Sequence, residues 1–390
     1  MSAVSALPIT ERAELAELAE RHSVRRAPTA VPSGPTLHTD LDAVAANTRL
    51  FAARVPGALM AVVKADGFGH GGAAVARTAL AHGASWLGVT SIEEALTLRA
   101  GGATAPILSW LNTIDADFTA AIGERVDLAV PSAAHLDAIT GAGLGARIHL
   151  HLDTGMARDG AAPRDWSALC RAARAAERAG LVRVVGVMGH LGCADVPGDP
   201  ANAAGRAAFT WGVQIARAVG LRPALRHLAA TSATLTYPAA LHTMSRVGAG
   251  LVGIDPTGTT RLSPALTLTA PVVSVRRVAR GTGVGYGHTW TADRATTLAL
   301  LPLGYADGLP RVASGRAQVA LRGRRCPVVG RISMDQVVVD VGDAPVRPGE
   351  VATVFGPGPG GEPTTADWAS WSDTIEHEIV TGIGPRVVRA

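Results

Sequence analysis

A chain of 390 residues, 47% apolar and 17% charged with a formal net charge of +4, has room for two or three domains, or for one large barrel with an appendage. Its apolar fraction excludes a disordered or fibrous chain, and no stretch approaches the roughly 18 apolar residues that a membrane helix needs. Lysine and arginine together number 36, yet Lys64 is the only lysine; the arginines are spread along the chain, which argues against a nucleic-acid footprint.

Met1–Thr10 has no basic residues ahead of it and runs straight into Glu11, unlike a secretory signal, so a soluble cytoplasmic protein is expected. Residues 1–36 read as an N-terminal extension, with a short helix carrying Leu15 and Leu18 and a linker at Pro32–Pro35. From Leu37 onward, short apolar runs alternate with helical stretches. The runs are Leu59–Lys64, Ser85–Val89, Pro106–Trp110, Val126–Val130, Arg147–Leu152, Val184–Gly189, Arg226–Ala229 and Thr243–Arg246. Amphipathic segments such as Ala73–His82, Ile92–Ala100 and Trp166–Ala179 lie between them. Eight strands alternating with helices over residues 37–262 predict a (β/α)₈ barrel. An open doubly wound sheet is the alternative, but no Gly-rich dinucleotide fingerprint opens the first unit.

Beyond Pro264 the pattern changes. Leu266–Val275, Thr296–Leu303, Gln318–Leu321, Gln336–Val341 and Val351–Phe355 are β-rich runs broken by Gly, Pro and Asp. Helical patterning is scarce until near Trp368. Residues 263–390 are therefore expected to form a separate, mostly β domain. Cys170, Cys193 and Cys326 show no paired spacing, which argues against a disulfide framework or zinc ribbon.

In a barrel, the reactive groups stand where strands end at the C-terminal face. Lys64 ends the first run, His151 and Asp153 close the fifth, and Arg158 follows. His190 ends the sixth, Thr231 and Ser232 follow the seventh, and Arg246 ends the eighth, two residues before Gly248. The loops after the last two strands are a common phosphate site, so Ser232 and the amides of Gly248 and Ala249 are candidate anion donors. A composition that replaces almost every lysine with arginine but keeps one suggests chemistry that arginine cannot do. An ammonium can lose its proton and become a nucleophile; a guanidinium effectively cannot. A lysine at one strand end with a phosphate cradle across the mouth suggests a phosphorylated aldehyde cofactor, held by a Schiff base.

The stretch Ala61–Gly71 (AVVKADGFGHG) resembles the pyridoxal-phosphate signature of alanine racemases. So do His151–Arg158 (HLDTGMAR) and Gly189–Asp195 (GHLGCAD). In the second domain, Val284–Gly287, Gly304–Arg311 and Gly330–Gln336 are similar to family motifs, in the family's order. The resemblance runs from about Leu37 to Arg389. It implies fold-type III architecture, pyridoxal 5′-phosphate as cofactor, a small amino-acid substrate, and a head-to-tail homodimer. Each active site would take Lys64 from one subunit and Tyr286 from the other. Lys64 would hold the cofactor and act as base on the D-substrate, and Tyr286 would act from the opposite face on the L-substrate. Arg246 would contact the pyridine nitrogen, with His190 nearby favouring the Tyr286 phenolate. Arg158 and the Met334 amide would hold the substrate carboxylate, and Tyr305 and Asp335 would line the entrance.

Three positions depart from the family pattern. Phe68 and His377 stand where phosphate-binding tyrosines are usual, and His151 stands where many members have a lysine. His149, His151 and Asp153 share one strand face, superficially like a metal set, but inward polar residues of a barrel usually satisfy one another. Cys193 beside His190 reads as structural, and Trp86 and Trp110 as barrel packing. The competing functions are a racemase for another small amino acid such as serine, a non-catalytic pyridoxal-phosphate carrier, and a metal-assisted aldolase or dehydratase. The β domain bearing Tyr286 and Met334 argues against the carrier, and no C-terminal His-x-Cys pair supports the last.

Overall fold

The computed structural model describes residues 34–390; the helix expected around Leu15 and Leu18 lies outside the described residues. Eight parallel strands follow one another: β2 (Ala58–Val62), β3 (Trp86–Val89), β4 (Ile107–Ser109), β5 (Val126–Val130), β6 (Ala146–His151), β7 (Val182–Met188), β8 (Leu225–His227) and β9 (Met244–Val247). Each falls on one of the apolar runs read from the sequence. Their spatial order is β8-β7-β6-β5-β4-β3-β2-β9, and the Arg246 N–H donates to the Ala229 carbonyl at 3.0 Å across the remaining gap. The sheet is a nearly closed barrel, not the open doubly wound alternative.

Alternation along the strands divides two packing surfaces. Leu87, Ile107, Leu128 and Val187 face out to the helices, while Trp86, Leu108, Ala129 and Met188 point the other way, into the barrel. The helices start where the sequence supplies an acceptor. Asp40, Ser91, Ser132 and Asp199 each take a backbone N–H of the turn that follows, a cap typically worth about 1 kcal/mol. No helix among the described residues is long and apolar enough to cross a membrane.

The second sheet is built mainly from the C-terminal part. It comprises β1 (Thr36–Thr39), β10 (Leu266–Pro271), β11 (Ser274–Val278), β14 (Thr296–Leu301), β15 (Gln318–Leu321), β16 (Arg324–Val329), β17 (Val337–Gly342), β18 (Val351–Phe355) and β19 (Val388–Arg389). A small hairpin, β12 (Gly283–Val284) and β13 (Trp290–Thr291), stands apart. Strand β1 runs antiparallel to β10 and parallel to β19, so the first described strand belongs to this sheet and not to the barrel. The run expected over Leu266–Val275 is two strands, β10 and the start of β11. The Trp368 indole N–H donates to the Val354 carbonyl at 2.8 Å. This anchors the helix Thr365–Trp371, from which the chain passes to Glu376–Thr381 over the barrel mouth.

Candidate active site

At the C-terminal end of the strands a cavity of about 910 Å³ opens between the barrel and the Thr365–Thr381 helices. Lys64 lines it, directly after β2. The chain beyond Lys64 is wound left-handed: Ala65, Asp66, Gly67, Phe68 and Gly69 all have φ between 51° and 78°. Three of these residues carry a Cβ, and each such position costs roughly 1–2 kcal/mol. The surroundings hold the turn in place. The Ala65 N–H donates to Glu94 Oε1 and the Gly72 N–H to Asp66 Oδ1, both at 2.7 Å. Burial and the facing Arg158 charge lower the Lys64 ammonium below its ordinary value, with Glu94 opposing them. Lys64 is thereby tuned toward the free amine, the form that acts as nucleophile and base.

Across the mouth, Arg246 is buried at the end of β9. Its Nη1 donates to the His227 carbonyl at 2.7 Å and to His227 Nδ1 at 3.1 Å. Its Nη2 donates to the Gly189 carbonyl at 2.7 Å and to His190 Nδ1 at 3.1 Å. A guanidinium has five N–H donors, so Nε–H is left without a partner among the described residues, on a side chain that lines the cavity. Burial lowers the guanidinium to about 10, which leaves it charged at neutral pH. Because His190 accepts at Nδ1, its neutral ring carries the proton on Nε2. Burial, then the charges of Arg246 and Arg158, pushes it down to about 3.

Gly248, Ala249 and Ser232 meet at the cavity wall beside Phe68. A Cβ at Gly248 would stand 2.7 Å from the Phe68 ring, so only glycine leaves this corner open. Ser232 lies in the first turn of the short helix Thr231–Thr236, which has no side-chain cap. His377 comes from the second domain, its ring centroid 6.1 Å from that of Phe68. Burial, then the Lys64 charge, lowers its imidazole. Arg158 is carried by a loop folded around Asp153, whose carboxylate accepts from the amides of Gly155, Met156 and Ala157. His151 Nδ1 faces Asp159 at 3.4 Å. Asp153 and His151 thus serve separate contacts, and no group of three or more His, Cys, Asp or Glu side chains among the described residues is placed to hold a metal ion.

Tyr286, Met334 and Tyr305 do not line this cavity. They are 71%, 52% and 42% exposed on the β domain. Tyr286 occupies the turn of the β12–β13 hairpin. Tyr305 and Met334 are held side by side, the Tyr305 N–H donating to the Ser333 carbonyl at 3.0 Å and the Ala306 N–H to that of Met334 at 2.9 Å. The sequence-derived residues therefore form two groups in one chain: one around Lys64 at the barrel mouth, the other exposed on the second domain. Sequence reasoning missed Glu94, Asp127 and Asp159. Asp127 stands on an otherwise apolar run, Glu94 in a helix first turn and Asp159 in the loop after Arg158, signals that by themselves name no partner.

Three buried histidines give the fold a pH signature. Burial holds His70 at about 4 and His190 at about 3, and pushes His227 well below its ordinary value. An unfolded histidine protonates near pH 6.5, so below that pH the unfolded chain binds protons that the fold refuses. Stability should fall by about 1.4 kcal/mol per pH unit for each such histidine. The urea midpoint is expected to drop steadily from pH 6.5 to 4.5. A flat midpoint over that range would mean that these rings accept protons while folded.

Two family models match the chain: "Alanine racemase, N-terminal domain" over residues 39–256 and "Alanine racemase, C-terminal domain" over residues 265–390. The alanine racemase of Thermobifida fusca is 49% identical over 358 residues, covering 90% of this chain and 96% of that protein. The Streptomyces coelicolor alanine racemase is 46% identical over 366 residues, covering 90% and 94%. Among solved structures, alanine racemase from Streptomyces coelicolor A3(2) superposes with a TM-score of 0.90 at 44% identity, covering 92% of this chain and 98% of that one. Alanine racemase from D-cycloserine producing Streptomyces lavendulae does so with a TM-score of 0.89 at 43% identity, covering 92% and 97%.

Proposed function

The chain belongs to the alanine racemase family, isomerases that interconvert L- and D-alanine, and from this premise we propose that it uses pyridoxal 5′-phosphate at sites shared between two copies of the chain in the cytoplasm. One observation carries the proposal: the only lysine of the chain lines the cavity whose wall also holds Arg246, with a single N–H left to give. The corner at Gly248, which a Cβ would fill, fits a phosphate, with the Ser232 hydroxyl and the Ala249 amide as donors, the Gly248 amide, which also donates to Thr231 Oγ1 at 3.4 Å, beside them, and His377 opposite. When bound, pyridoxal phosphate supplies an aldehyde that takes up amines and a conjugated ring that draws electrons from the substrate α-carbon.

The residues then divide the work. Lys64, lowered by burial, holds the cofactor and moves a proton to or from the α-carbon on one face. The second face needs its own base, and no tyrosine or further lysine lines the barrel mouth. Tyr286 of a second copy fills that role, which accounts for a reactive phenol exposed on a domain of its own chain. His190, which lines the cavity, has its Nε2–H left to donate to that hydroxyl oxygen. Arg158 and the exposed Met334 amide hold the substrate carboxylate, with Tyr305 at the entrance. Arg246 would hydrogen-bond the pyridine nitrogen through its remaining Nε–H without transferring the proton, which would leave the ring a restrained electron acceptor. Incubation of L-alanine and L-serine with enzyme and cofactor, followed by chiral chromatography, tests the function. Racemic alanine is expected; no turnover of alanine refutes the reading, and turnover of serine alone redirects it.

Phe68 offers a quantitative check on the cofactor. Its ring tip abuts Gly248, so a hydroxyl added there would point at the proposed phosphate. A hydrogen bond to a charged group is worth about 1.5–3 kcal/mol, or one to two decades of affinity. Phe68→Tyr is expected to retain pyridoxal phosphate more tightly by that factor in equilibrium dialysis. His377 donates best as imidazolium, and burial with the Lys64 charge lowers its imidazole, so retention by the natural protein should weaken as pH rises through a window below the ordinary histidine value. An unchanged dissociation constant in Phe68→Tyr, with no pH dependence in either protein, would assign the cradle to other groups.

A further inference from the structure

The inside of the barrel holds a row of polar groups that the reaction does not use. Asp127 on β5, His149 on β6 and His227 on β8 are all fully buried or nearly so, where unpaired polar groups are costly. Arg147 Nε and Nη2 donate to the two Asp127 oxygens at 2.8 and 3.1 Å from the partly exposed end of the row. Inward, His149 Nε2 lies 3.2 Å from Asp127 Oδ2, and His149 Nδ1 lies 2.8 Å from His227 Nε2. His227 Nδ1 is the atom that accepts from Arg246.

Every proton in this row is fixed from its arginine end. A guanidinium only donates, so His227 must accept at Nδ1 and carry its proton on Nε2. That proton goes to His149 Nδ1, which leaves His149 with its proton on Nε2, facing the Asp127 carboxylate. All donors therefore run one way, from Arg246 to Asp127, and the carboxylate terminates the row. The packing around it is equally specific. The Trp86 ring meets the His149 ring edge-on at 5.7 Å, and a Cβ at Gly186 would stand 2.2 Å from His149 Nδ1.

We propose that Asp127 is a positioning residue for catalysis: through His149 and His227 it orders the acceptor that holds Arg246, and so aims the remaining Arg246 Nε–H at the ligand of the cavity. This rests on the reading that Arg246 contacts the cofactor. Asp127→Asn keeps the shape of the side chain but lets an amide donor face His149, against the direction of the row. Loss of an outer partner that orients a site group typically changes function by about 10–100-fold.

Asp127→Asn is expected to lower kcat by at least about tenfold with little change in the KM for alanine, and to shift the visible absorption maximum of the bound pyridoxal phosphate. A purely structural Asp127 would lower the melting temperature and leave spectrum and kcat alone, which would overturn the proposal. Arg246→Gln serves as reference. If it shifts the spectrum and Asp127→Asn does not, the relay fails; if neither does, the cofactor reading fails. Nitrogen-15 spectra of histidine-labelled wild-type protein without cofactor give an independent check. Both His149 and His227 should appear as Nε2–H tautomers with unprotonated Nδ1, and an Nδ1–H signal from either ring would overturn the relay even if the variant did not fold.

Discussion

Lys64→Ala is expected to lose racemisation altogether and, with it, the visible absorbance that a lysine-bound pyridoxal gives. Two contributions vanish together, covalent attachment of the cofactor and the base for one face of the α-carbon. General acid–base groups alone contribute about 10²–10⁴-fold, so the loss should reach at least the upper end of that range. Lys64→Arg should be equally inactive, because a guanidinium neither attacks an aldehyde nor gives up its proton at neutral pH. No other lysine exists in the chain to take over. Borohydride treatment of the loaded natural enzyme should therefore label a single lysine-containing peptide. Retention of the visible band by Lys64→Ala would end the assignment.

Tyr286→Phe is expected to show a directional defect. It removes the base for the L-face, so α-proton exchange of L-alanine in deuterium oxide should fall by about 10²–10⁴-fold. Exchange of D-alanine should persist through Lys64. Equal, near-wild-type exchange from both enantiomers would refute the two-base division. A mixing experiment tests the shared site directly. Lys64→Ala and Tyr286→Phe should each be inactive in racemisation, yet a subunit-exchanged mixture should recover roughly a quarter of the natural rate, since half the two-fold dimers are mixed and each has one intact site. Tyr286 is largely exposed and does not line the cavity of its own chain. Recovery is the signature of a site built across an interface; a mixture that stays inactive after verified exchange would place both bases in one chain.

Much of the barrel was legible because its strands are short apolar runs separated by helical stretches, and five of the eight runs end on or near a residue with chemistry. Val126–Val130 matches its strand residue for residue. The strand-end rule brought Lys64, His190 and Arg246 to one mouth without any contact being known. What stayed hidden depends on contacts distant in sequence. Thr36–Thr39 offers a single apolar residue, Leu37, and becomes a strand only because β10 and β19 flank it. Arg324–Val329 has three polar or constrained residues among its first four, and its pairing with β15 and β17 decides the conformation. For His149, period-two spacing gave a face shared with His151 and Asp153 but not a partner. Its true neighbours, Asp127 and His227, come from other strands. Nor does the left-handed turn at Ala65–Phe68 follow from local preference, which opposes it at every residue but Gly67.

The pairing of β1 with β19 has a consequence for how the molecule is made. Thr36 aligns with Val388, so two segments separated by about 350 residues lie side by side, the kind of non-local contact that slows folding. The barrel is complete once β9 has been synthesised, and nascent domains generally fold as units from the N-terminus. The second sheet cannot follow that schedule, because its first described strand waits until Val388 and Arg389 have emerged from the ribosome. During synthesis Thr36–Thr39 presents unpaired backbone, first on both edges and then, after β10 emerges, on one. Removal of the final residues would leave that edge open permanently, an invitation to aggregate. Chain order and assembly order part ways here, and a circular permutant joining the two ends would bring them back together.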